Sequence, residues 1–344
     1  MELQSYNPCA EPFQRMGRHD PGEAVCQLWW SGSGVRVNIA CRYLEVEAES
    51  KSHDHAPWLA VIIDGAPVAR FPLTPGVRRY PVLAGMDASV AHEVAIARDT
   101  QPSYDEAGPV LLHAVYTDGE PSRPARRPLR LEFIGDSLTV GEGCLGPESA
   151  DEWRMPWISH HSAFPALIAE KLRADKHVVA LGGWGAARSW DNHTDSRIGR
   201  IYDCLCGEIP GGDVPYDEHG WTADAVVINL GTNDGTALGK MSGDERLEAE
   251  KDLKDRAVEL LEQVRRRHPG AYILWAYGLC SHLVEPILMS AAEARKQAGD
   301  ARVGYLSLSA AMSNGSRMHP SREAHRQAAR EIEAALREAL DLKD

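Results

Sequence analysis

Leu129-Arg130-Leu131-Glu132-Phe133-Ile134-Gly135-Asp136-Ser137-Leu138-Thr139 passes from apolar, β-prone residues to a glycine and then to Asp-Ser. An apolar run closed by a residue without a side chain predicts a buried strand with a tight exit, and it places a serine just past the strand's carboxyl end. Four comparable runs follow: His177 to Gly182, Ala225 to Gly231, Ala271 to Tyr277 and Val303 to Leu308. They are continuous rather than alternating, as strands covered on both faces are, and the spacing leaves room for crossover helices. Two such helices can be read from periodicity. Leu253, Ala257, Leu260, Leu261 and Val264 share one face that stops at His268-Pro269-Gly270, and Ala324, Ala328, Ile332, Ala335 and Leu336 repeat the pattern after Pro320. The expectation is an α/β domain of three α/β/α layers around a parallel five-stranded sheet.

Upstream the period changes. Between Glu23 and Tyr116 the apolar runs are short and alternate, as in Val35-Arg36-Val37-Asn38-Ile39 and Leu44-Glu45-Val46-Glu47, and Leu59 to Ile63 closes on Asp64-Gly65. Period-two alternation predicts antiparallel strands, and Asp-Gly between apolar runs predicts a hairpin, so an all-β sandwich precedes the α/β domain. Asp118 to Pro128 concentrates Pro, Gly and Arg without apolar periodicity and reads as the connection. The boundary falls near 125, giving a sandwich over 1–125 and an α/β domain over 126–344. A chain of 344 residues accommodates two such cores.

Charge and composition narrow the function. A net charge of −13 gives a field that repels polyanions, which argues against nucleic acid and against an acidic membrane surface as partners. The residues MELQSYNPCAEPF carry neither a basic nor an apolar leader region, so a cytoplasmic location is expected. The seven cysteines are odd in number and scattered, which predicts mostly buried, reduced thiols rather than a disulfide framework.

In open α/β sheets ligands bind outside the carboxyl ends of the strands. Ser137 follows the first run there and is placed as a nucleophile. Gly182-Gly183-Trp184-Gly185 follows the second and can bring backbone N–H groups close to an oxyanion, from Gly183 or from Gly185. Asn233, in Gly231-Thr232-Asn233-Asp234, offers a side-chain amide after the third, and His319 stands before Pro320 after the fifth. Taken alone, Ser137 is more economically read as a helix N-cap and His319 as a structural residue; their common placement at strand ends outweighs those readings. Asp136 is expected to support the loop by capping the helix after the strand. Trp184, beside the glycines, is the candidate for contact with a substrate ring. His53-Asp54-His55, His160-His161 and Cys204-Leu205-Cys206 complete no metal motif, so neither a metal nor a cofactor is expected.

With these residues in order, the sequence resembles the SGNH hydrolases: Gly135-Asp136-Ser137-Leu138 is similar to their GDSL signature, and Gly231-Thr232-Asn233-Asp234 and His319-Pro320 to their later blocks. Trp30-Ser31-Gly32-Ser33-Gly34-Val35, Val61 to Gly65, Gly183-Trp184-Gly185 and Tyr277-Gly278-Leu279 make the resemblance closest to carbohydrate esterase family 2. It implies a flavodoxin-like hydrolase domain after a jelly-roll sandwich, and a serine esterase that removes small acyl groups, acetyl foremost, from an acylated carbohydrate. Ser137 would be the nucleophile, His319 the base, and Ser137, Gly183 and Asn233 the oxyanion donors.

One departure stands out. The family pattern places an Asp three residues before the histidine, where this chain has Ser316. A Ser-His dyad is then expected, its imidazole oriented by a backbone carbonyl or by Asn314. Rival readings are a lysophospholipase or thioesterase on the same frame, and a carbohydrate-binding protein with a weakened site.

Overall fold

The computed structural model describes residues 3–309 and 314–343. The chain divides into two compact units, one running to Arg127 and including Cys204–His219, the other formed by Pro128–Asp203 and Gly220–Asp344.

The first unit is a two-sheet antiparallel sandwich. One sheet runs in the order Gln4–Tyr6, Val110–Thr117, Tyr43–Ser50, Gly76–Ala84; the other runs Pro121–Ser122, Gly34–Ile39, His92–Arg98, Trp58–Ile63, Ala66–Pro72. Alternation along each strand sends Val35, Val37 and Ile39 from one sheet and Leu44, Val46 and Ala48 from the other into a shared apolar core. Asp64 and Gly65 both take positive φ, 49° and 82°, which is the pairing a two-residue hairpin needs to match strand twist. The segment Cys204–His219 returns to this unit because two buried donors require acceptors. Arg18 Nη1 donates to the Cys204 carbonyl at 3.0 Å and the Trp30 indole N–H to the Leu205 carbonyl at 2.7 Å. The α/β unit is therefore interrupted in sequence, whereas the sequence reading drew it as continuous from 126.

The second unit is built on a parallel sheet in the order Ala174–Ala180, Leu129–Gly135, Ala225–Asn229, Tyr272–Tyr277, Val303–Ser307. The strands are buried nearly throughout, which explains their continuous apolar sequence. Glu132 breaks that rule inside the first strand, and Tyr202 Oη at 2.6 Å and His268 Nε2 at 3.1 Å answer its carboxylate. Helix Gly243–Arg267 buries Leu253, Ala257, Leu260, Leu261 and Val264, with acidic residues in its first turn and Arg265 to Arg267 in its last, in line with the helix dipole. The closing helix Arg322–Ala339 is capped by Ser321 and buries Ala324, Ala328, Ile332 and Leu336. Because the first strand lies between the second and the third, the chain reverses its direction of winding at Gly135. The crevice at the carboxyl end of that strand is the topological switch point of the sheet.

Candidate active site

Ser137 opens the short helix Ser137–Val140 at that switch point and is 7 % exposed. The strand can turn so sharply because residue 135 is glycine: a Cβ there would stand 1.9 Å from Thr139 Oγ1. Asp136 caps the helix, its Oδ1 accepting the Leu138 N–H at 2.9 Å.

His319 reaches the serine from the other end of the unit's sequence. Its Nε2 lies 2.9 Å from Ser137 Oγ and its Nδ1 lies 2.9 Å from the Arg317 carbonyl oxygen. A carbonyl only accepts, so Nδ1 carries the proton and Nε2 presents its lone pair to the serine hydroxyl. The orienting acceptor is this carbonyl and not Asn314, whose Oδ1 instead accepts the Ser321 N–H at 3.2 Å. Ser316, where the resemblance leads one to expect an Asp, is buried against Gly143, its hydroxyl donating to the Gly143 carbonyl at 3.4 Å. Aiming the Arg317 carbonyl requires left-handed backbone at both Arg317 and Met318, with φ of 54° and 58°. Such conformations cost about 1 kcal/mol or more for each non-glycine residue. They are held by the Arg317 N–H on the Ala150 carbonyl at 2.7 Å and by the Arg317 guanidinium on Glu142 Oε1, also at 2.7 Å. The same Glu142 oxygen is 3.7 Å from His319 Nε2.

The backbone N–H groups of Ser137 and Gly183 make no hydrogen bond among the described residues. Gly185 differs, since its N–H is turned toward the Ser196 carbonyl at 3.4 Å and its own carbonyl accepts from Ile198 at 3.0 Å. Of the two glycines, only Gly183 keeps a donor to offer. Its φ of +83° is one that side-chain-bearing residues rarely adopt. The Asn233 amide nitrogen lies 2.7 Å from the Trp184 carbonyl and 3.2 Å from Asp136 Oδ2, so donating to any further acceptor requires it to give up one of these contacts, the longer being the weaker. That contact is weak at neutral pH. Burial, with the charges of Asp234 and Glu142 behind it, pushes the Asp136 carboxyl up to about 8, and a neutral carboxyl holds an amide hydrogen less firmly than an anion does.

Asp234, Glu142 and Arg317, which periodicity and strand-end placement passed over, also stand at the site, as does Trp190. Asp234 is wholly buried and accepts the N–H groups of Ala186, Ala187 and Arg188 at 2.8–3.0 Å, pinning the loop that carries Gly183. Its position beside Asn233 was the available signal. Glu142 and Arg317 are recognisable only from their contacts in space. Trp190 is 51 % exposed and donates its backbone N–H to the Gly183 carbonyl at 3.2 Å. It therefore stands beside the donor loop, with Lys240 Nζ 5.0 Å from its ring centroid, and the half-buried Trp184 ring likewise has the Arg200 guanidinium 5.4 Å from its centroid.

Residues 133–342 match the model of the GDSL-like lipase/acylhydrolase family, and residues 15–121 match the carbohydrate esterase 2 N-terminal domain. The cellulase/esterase CelE of Acetivibrio thermocellus is 26 % identical over 93 % of this chain, which spans only 38 % of that protein's length. An acetylxylan esterase/glucomannan deacetylase of Cellvibrio japonicus is 25 % identical over 96 % of this chain and 89 % of its own. Among solved structures, an acetyl xylan esterase, Est2A, from the rumen bacterium Butyrivibrio proteoclasticus superposes with a TM-score of 0.95 at 27 % identity over the whole of both chains. A family two carbohydrate esterase from Clostridium thermocellum, solved with cellohexaose, shares the fold at a TM-score of 0.84 and 22 % identity, covering 96 % of this chain and 99 % of its own.

Proposed function

The chain belongs to the GDSL-like lipase/acylhydrolase family, and from that premise we propose that it is a serine esterase removing small acyl groups, acetyl foremost, from carbohydrate hydroxyls. The observation that carries the reading is the relay from the Arg317 carbonyl through the His319 ring to the Ser137 hydroxyl, with 2.9 Å at each junction.

Ser137 Oγ attacks the ester carbonyl while His319 Nε2 takes its proton, and the resulting imidazolium then protonates the departing sugar hydroxyl. Water, deprotonated by the same nitrogen, attacks the acyl-serine; as the Oγ–acyl bond breaks the imidazolium returns the proton to Ser137 Oγ and the carboxylic acid leaves. In both steps negative charge grows on the former carbonyl oxygen, where the N–H groups of Ser137 and Gly183 and the amide of Asn233 receive it. Each such donor is worth about 3 kcal/mol in the transition state. No Asp pairs with the imidazolium at position 316, but its Nδ1–H remains bonded to the Arg317 carbonyl and the Glu142 carboxylate faces Nε2, so positive charge on the ring is still met by negative potential. Trp190, 51 % exposed beside Gly183, and Trp184 supply flat apolar surface of the kind sugar rings stack on.

Acetate release from a panel of acetylated mono- and oligosaccharides, with Ser137→Ala as blank, tests the reading. Release lost in the variant supports it. Preference for long-chain p-nitrophenyl esters over the acetate would contradict the small-acyl assignment.

A further inference from the structure

Gly183 offers its N–H from a backbone at φ +83°, and a glycine is the residue least able to hold such a donor in place by itself. Oxyanion donors are effective only when they need no reorientation as charge develops. Residue 183 must therefore be fixed from outside, and Trp190 does so twice. Its backbone N–H donates to the Gly183 carbonyl at 3.2 Å. Its ring covers the place a Cβ of residue 183 would take: such an atom would stand 3.2 Å from Cδ1 and 3.4 Å from Nε1. Trp190 is itself half exposed, so packing supports only part of it. Lys240 supplies the rest. Its Nζ donates to the Trp190 carbonyl at 3.0 Å and stands 5.0 Å from the ring centroid, a hydrogen bond and a cation–π contact on one residue. Lys240 follows the helix Thr232–Leu238, and its backbone N–H is tied to the Ala237 carbonyl at 3.0 Å. The first turn of that helix carries Asn233 and also Asp234, which holds the N–H groups of Ala186, Ala187 and Arg188. One helix thus bears one oxyanion donor and grips the loop of another at its middle and at its far end.

We infer that Lys240 is a positioning residue of the oxyanion hole, acting through Trp190 to keep the Gly183 N–H in register with the Asn233 amide. The inference rests on the esterase reading and adds to it a residue that works at one remove from the reacting atoms. A methionine at 240 keeps the length of the stem and loses both attachments, so the loop that carries Gly183 gains freedom and its donor is aligned for a smaller share of the time. The loss falls on the transition state, where the oxyanion exists, and not on the bound ester. An arginine can remake both attachments, since a guanidinium also donates to carbonyls and also lies over indole rings.

The test compares the full chain with its Lys240→Met and Lys240→Arg variants on p-nitrophenyl acetate, with rates set per active site by titrating Ser137 with a fluorophosphonate. Titration counts only folded sites, so a variant that folds poorly is still read. Lys240→Met is expected to lower kcat about fivefold with KM unchanged. Inhibition by methylboronic acid, whose tetrahedral adduct on Ser137 puts an oxygen in the hole, should weaken by the same factor. Lys240→Arg should stay within about twofold of the unaltered chain in both measurements. Unchanged kcat and unchanged boronate inhibition in Lys240→Met overturn the inference and leave the esterase reading in place. A rise in KM with kcat kept does the same, since it makes Lys240 a substrate contact. An unaltered chain that releases no p-nitrophenol, or whose release survives Ser137→Ala, overturns the esterase reading and this inference with it.

Discussion

Arg317 offers its carbonyl to Nδ1 of His319 across 2.9 Å, from a backbone held left-handed at two successive non-glycine residues. A carbonyl fixes the tautomer and the ring plane as a carboxylate would, but it brings a dipole in place of a full charge. The histidine is oriented by main chain, and the side chain at 316 is released from that duty.

Ser316 should therefore matter little to turnover. Ser316→Ala is expected to keep kcat/KM within about threefold, whereas His319→Ala should lose about a thousandfold or more. Ser316→Asp should not repair a triad, because the side chain is buried toward the Gly143 carbonyl and not toward the ring. An uncompensated carboxylate in that place should cost about 3 kcal/mol of stability. Melting temperatures and p-nitrophenyl acetate kinetics decide the matter; a faster Ser316→Asp enzyme would refute the carbonyl's role.

Glu142 supplies the nearest negative charge to the ring. Its oxygen is 3.7 Å from His319 Nε2, and the Arg317 guanidinium on the same oxygen cancels part of its field. The net help to an imidazolium should be about 1–2 kcal/mol, well below the bare Coulomb value at that range. Glu142→Gln should lower kcat about tenfold with KM for a small acetate ester unchanged. An unaltered kcat would show that the carboxylate serves only to hold Arg317.

Asp234 anchors the donor loop through three N–H groups. Asp234→Ala leaves those buried donors unanswered, at about 1–3 kcal/mol each, and frees Gly183 to wander from the oxyanion position. Both a lower melting temperature and about a hundredfold loss of kcat in the protein that remains folded are expected. Retained activity in a destabilised variant would separate the anchor from the chemistry.

Asp136 gives the site a pH dependence. Its carboxyl, raised by burial to about 8, is mostly neutral at pH 7 and ionises as pH climbs through 8. The anion then holds the Asn233 amide hydrogen more firmly and stands close to the growing oxyanion. Rates corrected for spontaneous hydrolysis should fall above pH 8. Because this carboxyl's pKa is raised on folding, its contribution to stability is fully present below about pH 4 and is lost as pH rises through 8. Thermal melts and initial rates between pH 5 and 9 check both signs, and a flat rate between pH 7 and 9 would remove Asp136 from the account.

Much of this protein could be read before any coordinates. The apolar runs ending at Gly135, Gly182 and Gly231 marked strands buried on both faces, and Ser137, Asn233 and His319 stood just beyond strand ends, where a parallel sheet gathers its chemistry. Period and strand-end placement are local properties, and side chains such as serine and histidine declare their chemistry by type. Three features belonged to the tertiary structure alone. The acceptor for His319 is a main-chain carbonyl, a group every residue carries, so no letter of the sequence distinguishes Arg317 until the chain is bent to aim it. Gly183 is left as donor because folding turns the Gly185 N–H toward Ser196. Glu142 reaches the imidazole because residues 175 positions apart, Glu142 and Arg317, pair in space. Which unpaired group finds which partner is settled only when distant segments are packed and each buried donor must find an acceptor.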